Sequence, residues 1–186
     1  ILRAAHTMPD ELHYCVMTVN APIFPDLLEY KAKDGRANKN INTFGRFFGY
    51  RNFRHVDSGI HIHFCEPRAI KAGTENTNSN RNRIARTIRS DMKENIVILP
   101  ENIMAYGMQY IKRENKDMDD LKEVFYSLHE HVQDRQNLLF SDPEVSWNLA
   151  SKFYRKVNFP LLVEYNSNRV QHFFKRYLPL RAYRSA

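Results

Sequence analysis

The stretch Gly59-Ile60-His61-Ile62-His63-Phe64-Cys65-Glu66-Pro67 decides how this chain is read. Ile60, Ile62 and Phe64 alternate with His61 and His63, and a period of two is the period of a β-strand. Gly59 precedes the run and Pro67 ends it, because proline cannot donate to a strand ladder. His61 and His63 then lie on one face of the strand, with Ile62 and Phe64 on the other. Two imidazoles at i and i+2 on one strand face are aimed at one region, where they can hold a divalent ion with help from a third donor. Taken alone, two half-exposed histidines on a polar sheet face is the plainer reading.

Working outward on the N-terminal side, His13 to Asn20 is rich in β-formers and reads as a strand that stops before Pro22. Phe24 to Tyr30 reads as a short helix, and Lys31 to Asn42, with Asp34-Gly35 and several Asn, as a loop. Thr43 to Phe53 carries five aromatics around Gly45 and Gly49 and reads as a further strand. On the C-terminal side, Ala72 to Asn82 reads as a loop. Arg81 to Lys93 follows as an amphipathic helix, with Ile84, Ile88 and Met92 on one stripe and Arg81, Arg83, Arg86 and Arg89 around it. Asn95 to Pro100 reads as a short buried strand, and Glu101 to Lys116 as a helix striped by Ile103, Tyr106, Tyr110 and Ile111.

From Asp117 the pattern turns helical: 119–137, then 142–157 opened by Asp142-Pro143, then a break at Pro160 and a last helix over 167–177. The expectation is an α+β fold, with a central antiparallel sheet of about five strands flanked by helices and a helical C-terminal extension. Residues 1–116 form the core of that expectation. Residues 117–186 belong to the same domain or lead into a further one.

Composition narrows the classes. The chain has 186 residues, 28 Lys+Arg against 21 Asp+Glu, and a formal net charge of +7. The apolar fraction of 42% is too high for a disordered chain. Two cysteines exclude a disulfide scaffold and fit a reducing compartment, and both lie in expected strands as buried thiols. No apolar run approaches the ~20 residues that span a bilayer, so no membrane role is expected. The sequence opens on Ile1 without a signal peptide pattern and reads as a piece of a longer chain. No P-loop or dinucleotide fingerprint is present, so nucleotide hydrolysis is not implied. The basic balance favours a polyanionic partner. His129-Glu130-His131 falls on an expected helix, where i and i+2 do not face one point, so it is not read as a metal site.

The second constellation is Tyr106-Gly107-Met108-Gln109-Tyr110-Ile111-Lys112-Arg113-Glu114. Tyr106 and Tyr110 are one helical turn apart. A phenol beside a metal-bound phosphate is a usable nucleophile, and Lys112 or Arg113 can steady the phosphate or the leaving group. An aromatic stripe packed on a core is the competing reading. Taken in order, the His-x-His strand, the basic helix, the short strand and the tyrosine helix resemble the HUH superfamily of single-strand DNA nickases. The nearest resemblance is to the N-terminal nickase domain of parvovirus-type nonstructural replication initiators, and it covers roughly residues 11–116.

That resemblance implies a site-specific, metal-dependent single-strand DNA endonuclease. His61 and His63 would hold Mg²⁺ or Mn²⁺, with Asp57 or His55 as third ligand, since no Glu stands a few positions before the pair. Tyr110 would attack and form a 5′-phosphotyrosyl link, with Tyr106 in reserve and Arg113 standing where the family usually has Lys. Arg81, Arg83, Arg86 and Arg89 would contact phosphates of origin or terminal DNA. A helicase domain in the same longer chain, an oligomer on DNA and a host nucleus are the associated expectations. The alternative is a non-catalytic basic nucleic-acid-binding or viral structural protein, for which the charge and the aromatics suffice. A third reading is a metal-dependent hydrolase of a small phosphoester.

Overall fold

The computed structural model describes residues 1–7, 10–22, 57–134, 137–157 and 160–177. The expected helix at 24–30, loop at 31–42 and strand at 43–53 lie outside the described residues, as does His55. Two compact units divide the chain: Ile1–Asn20 with His61–Val97, and Ala21–Ile60 with Ile98–Ala186.

The first unit holds helix α1 (Leu2–Thr7), strands β1 (Leu12–Tyr14), β2 (Met17–Asn20), β3 (His61–Phe64) and β4 (Arg68–Ile70), and helix α2 (Asn78–Glu94). β1 pairs antiparallel with β4, and β2 pairs antiparallel with β3. The expected central sheet of about five strands is therefore corrected: the described residues carry two separate two-stranded sheets. The run 13–20 accounts for part of the difference. It breaks at Cys15-Val16 into two strands with different partners. The expected strand at 95–100 accounts for more, because only Ile98 pairs there, in a single parallel bridge to Leu138. β-Propensity marks extended segments, but pairing is decided by partners distant in sequence. α1 and β4 were not foreseen. Leu2 and Ala5 of α1 pack with Ile70 of β4 in a small cluster that Ile84 of α2 also joins.

α2 begins inside the stretch expected as loop. Thr77 caps it, its hydroxyl accepting from the Asn80 N–H at 3.2 Å. Its last turn is tied to the strands. The Arg68 guanidinium of β4 donates to the Asp91 carboxylate at 2.7 Å, and the Thr18 hydroxyl of β2 donates to the Asn95 carbonyl at 3.0 Å. Arg68 hydrogen bonding holds the Asp91 carboxyl below its ordinary range against the opposing effect of burial. Cys65 is buried, but Cys15 is exposed, which corrects the expectation of two buried thiols.

The second unit is helical: α3 (Pro100–Glu114), a 3₁₀ turn (Met118–Asp120), α4 (Leu121–Val132), α5 (Pro143–Lys156) and α6 (Pro160–Phe174). α3 packs against α4, α5 and α6 around Ile103, Tyr106, Phe125, Leu128, Phe153 and Phe174. Pro160 opens α6 rather than merely breaking the preceding helix, since proline fits a first helical turn as readily as it ends an earlier one. No described helix is long and apolar enough to cross a membrane.

Candidate metal and nucleic-acid site

β3 behaves as its alternation requires. The register with β2 sets His61 opposite Asn20 and His63 opposite Thr18. Directly opposed residues share a face, so His61, His63, Thr18 and Asn20 line one side of the pair, and Met17, Val19, Ile62 and Phe64 the other. The burial is the reverse of a usual half-buried sheet. Thr18 and Asn20 are buried, His61 is half-buried and His63 exposed, whereas Met17, Ile62 and Phe64 are 51%, 57% and 66% exposed. The Thr18–Asn95 bond explains the inward turn of the polar side: it brings the C-cap of α2 onto that face. Carbonyl dipoles at a helix C-terminus favour a nearby cation.

Asn20 is the residue that reading the sequence missed. Its amide stands on the strand neighbouring His61 and on the same face. Nothing in a linear pattern sets the register of β2 on β3, so only the pairing reveals it. Two imidazoles and an amide oxygen fit a six-coordinate divalent ion that keeps open positions. The nitrogen content suits Mn²⁺ better than the harder Mg²⁺. Among the described residues no group of three or more His, Cys, Asp and Glu side chains gathers around one point. Asp57 belongs to the second unit, where its Oδ2 lies 2.8 Å from Lys152 Nζ.

The tyrosines stand on α3 in the second unit. Tyr106 is fully buried, its ring 5.0 Å from that of Phe174. Tyr110 is half-buried, with Lys116 Nζ 5.7 Å from its ring centre. Lys112 is exposed, and Arg113 is ion-paired with its neighbour Glu114. Of the pair, Tyr110 is the phenol within reach of a ligand from solvent.

The arginines of α2 divide between two faces. With residues about 100° apart around a helix axis, Arg83, Arg86, Arg89 and Lys93 fall within an arc of about 120°, and Arg81 lies outside it beside Ile84, Ala85 and Ile88. All five are exposed. Glu94 borders the end of this row, its Oε1 accepting from the Ser90 hydroxyl at 2.8 Å. Such a row of cations along one helix is suited to a polyanion backbone.

No protein-family model matches the chain, and neither does any characterised protein or any solved structure.

Proposed function

We propose that this chain is a metal-dependent, site-specific single-strand DNA nickase that joins itself to a 5′ phosphate through Tyr110. The observation that carries the proposal is the β2–β3 register, which sets His61 and His63 on one face opposite Thr18 and Asn20. His61, His63 and Asn20 would hold the ion. A divalent ion bound there supplies polarisation of a phosphoryl oxygen and offsets charge in the transition state. The Tyr110 phenol attacks phosphorus and loses its proton to solvent. An Oη–P bond forms as the P–O3′ bond breaks, and the 3′ oxygen leaves as a hydroxyl, taking a proton from Lys112 or from water. Tyr106, sealed in the core, shapes α3 instead of attacking. The stripe Arg83, Arg86, Arg89 and Lys93 holds phosphates through charge. A helicase in a longer chain, an oligomer on DNA and a nuclear location belong to the same proposal.

The test mixes the protein with labelled single-stranded oligonucleotides from its own replicon's terminal sequences, with Mn²⁺, with Mg²⁺ and with neither, on a denaturing gel. The expected result is a metal-dependent, protein-sized adduct, stronger with Mn²⁺, lost in Tyr110→Phe and reduced on the order of 100-fold in His63→Ala. An adduct that survives Tyr110→Phe moves the attack elsewhere. Binding on a native gel with neither adduct nor cleavage favours the non-catalytic reading, which the exposed row of cations on α2 supports independently.

A further inference from the structure

Beside Arg81, α1 and α2 border a shallow, open cleft of about 420 Å³ within the first unit. Its floor is aliphatic, formed by Leu2, Ile84, Ala85 and Ile88, and two guanidinium groups, Arg3 and Arg81, stand among its lining residues. Among the described residues no acidic side chain lines it. The cleft therefore offers contact for a flat, weakly polar ring and charge for an anion joined to that ring.

We propose that this cleft receives one nucleotide of a single-stranded nucleic acid, the base lying on Ile84 and Ile88 and the adjoining phosphate held between Arg3 and Arg81. The proposal rests on the nucleic-acid reading above and adds a base-binding subsite to it. Three observations favour a nucleotide over another amphiphilic anion. The cleft shares α2 with the Arg83–Lys93 stripe, so a strand whose backbone follows the stripe needs only to turn around the helix to reach it. Arg81 is held in place, its Nη2 donating to Asn78 Oδ1 at 2.7 Å, and its other N–H groups are left for a phosphate. The aliphatic floor accepts the face of any base, and the Asn76 amide among the lining residues stands ready for the edge of that base.

The experiment compares two labelled 12-mers, one normal and one fully abasic with the same phosphates, by fluorescence anisotropy without added metal. The expected result is several-fold tighter binding of the strand that carries bases. Ala85→Phe fills the cleft from an exposed position and should abolish that preference while leaving abasic binding unchanged. Arg81→Gln should shrink the preference as well. Arg86→Ala, on the stripe, should weaken both strands equally and lower the salt slope by about one. Equal binding of the two strands, or a preference that survives both cleft variants, overturns the cleft and spares the nucleic-acid reading. Absence of binding to either strand overturns both. Circular dichroism of Ala85→Phe and Arg81→Gln separates a lost subsite from a lost fold.

Discussion

His129 and His131 stand two residues apart in the sequence, as His61 and His63 do. On α4 that spacing sends them to different surroundings. His129 is fully buried, its Nε2 2.9 Å from the Phe140 carbonyl oxygen and 3.1 Å from Ser146 Oγ, whereas His131 is exposed and stacks on Tyr177 with ring centres 4.3 Å apart. On β3 the same spacing shares a face. Secondary structure therefore separates the two pairs, and both outcomes were legible from the spacing and the local period. Burial pushes the His129 imidazole below its ordinary value, although the Phe140 carbonyl pulls the other way. A depressed histidine is neutral in the fold, so protonation favours the unfolded chain. Its contribution is fully present above about pH 6.5, the unfolded value, and is lost as pH falls below it. Thermal midpoints between pH 7.5 and 5 should decline, and His129→Phe should flatten that decline. An equal slope in the variant would place the acid sensitivity elsewhere. Asp91, held low by Arg68, acts only at more acidic pH and in the same direction.

At the scale of elements, Gly107 sets how closely α3 and α4 approach. A Cβ built there would meet Leu121 Cδ1 at 3.3 Å, Val124 Cγ1 at 3.6 Å and Leu128 Cδ1 at 3.7 Å. A single methyl demands a small shift of flexible side chains, and the better helix propensity of alanine offsets it. Gly107→Leu has no such room and should lower stability by roughly 1–3 kcal/mol through overpacking, read from the thermal midpoint. A midpoint equal to wild type would show that α4 moves away freely. Most helices were legible from their stripes and caps: Asp142-Pro143 opens α5, with the Asp142 carboxylate accepting from the Glu144 N–H at 2.8 Å. α1, β4 and the opening turns of α6 were not, because α1 and β4 are short segments stabilised by a shared cluster rather than by their own pattern. The exposed side of β2–β3 shows the same limit. Alternation named its two faces, but which face turned inward depended on α2 reaching Thr18.

Across the whole molecule, the second unit is pinned by buried polar side chains as well as by its apolar core. Asn102 Nδ2 donates to Asn166 Oδ1 at 2.8 Å, and Asn166 Nδ2 donates to the Pro22 carbonyl at 2.8 Å. Ser58 Oγ donates to Glu101 Oε1 at 2.7 Å, and the buried Tyr154 hydroxyl donates to the Glu101 carbonyl at 3.1 Å. Burial, reinforced by the Glu101 charge, pushes the Tyr154 phenol up. These bonds join residues 43 to 144 positions apart, so no local pattern announces them. Asn166→Ala would leave the Asn102 amide and the Pro22 carbonyl without this partner and should cost about 1–3 kcal/mol. Trp147 is the chain's single tryptophan, and its edge packs on Phe125 with ring centres 5.4 Å apart in this unit. Its fluorescence reports the loss directly, and an unchanged unfolding curve would mean that water replaces the amide without penalty.

By itself the sequence determined the local periods: a strand with two histidines on one side, a basic helix, a tyrosine helix and a helical C-terminal part. Those properties follow from steric and capping preferences acting over a few neighbouring residues. Only the tertiary structure decided that the described strands pair two by two. It also decided that Asn20 stands opposite His61, that Tyr106 is sealed while Tyr110 is half-exposed, and that Arg81 faces a cleft apart from the other arginines. Each of these depends on contacts between segments distant in the chain, whose register and burial are set by packing rather than by any residue's own preference.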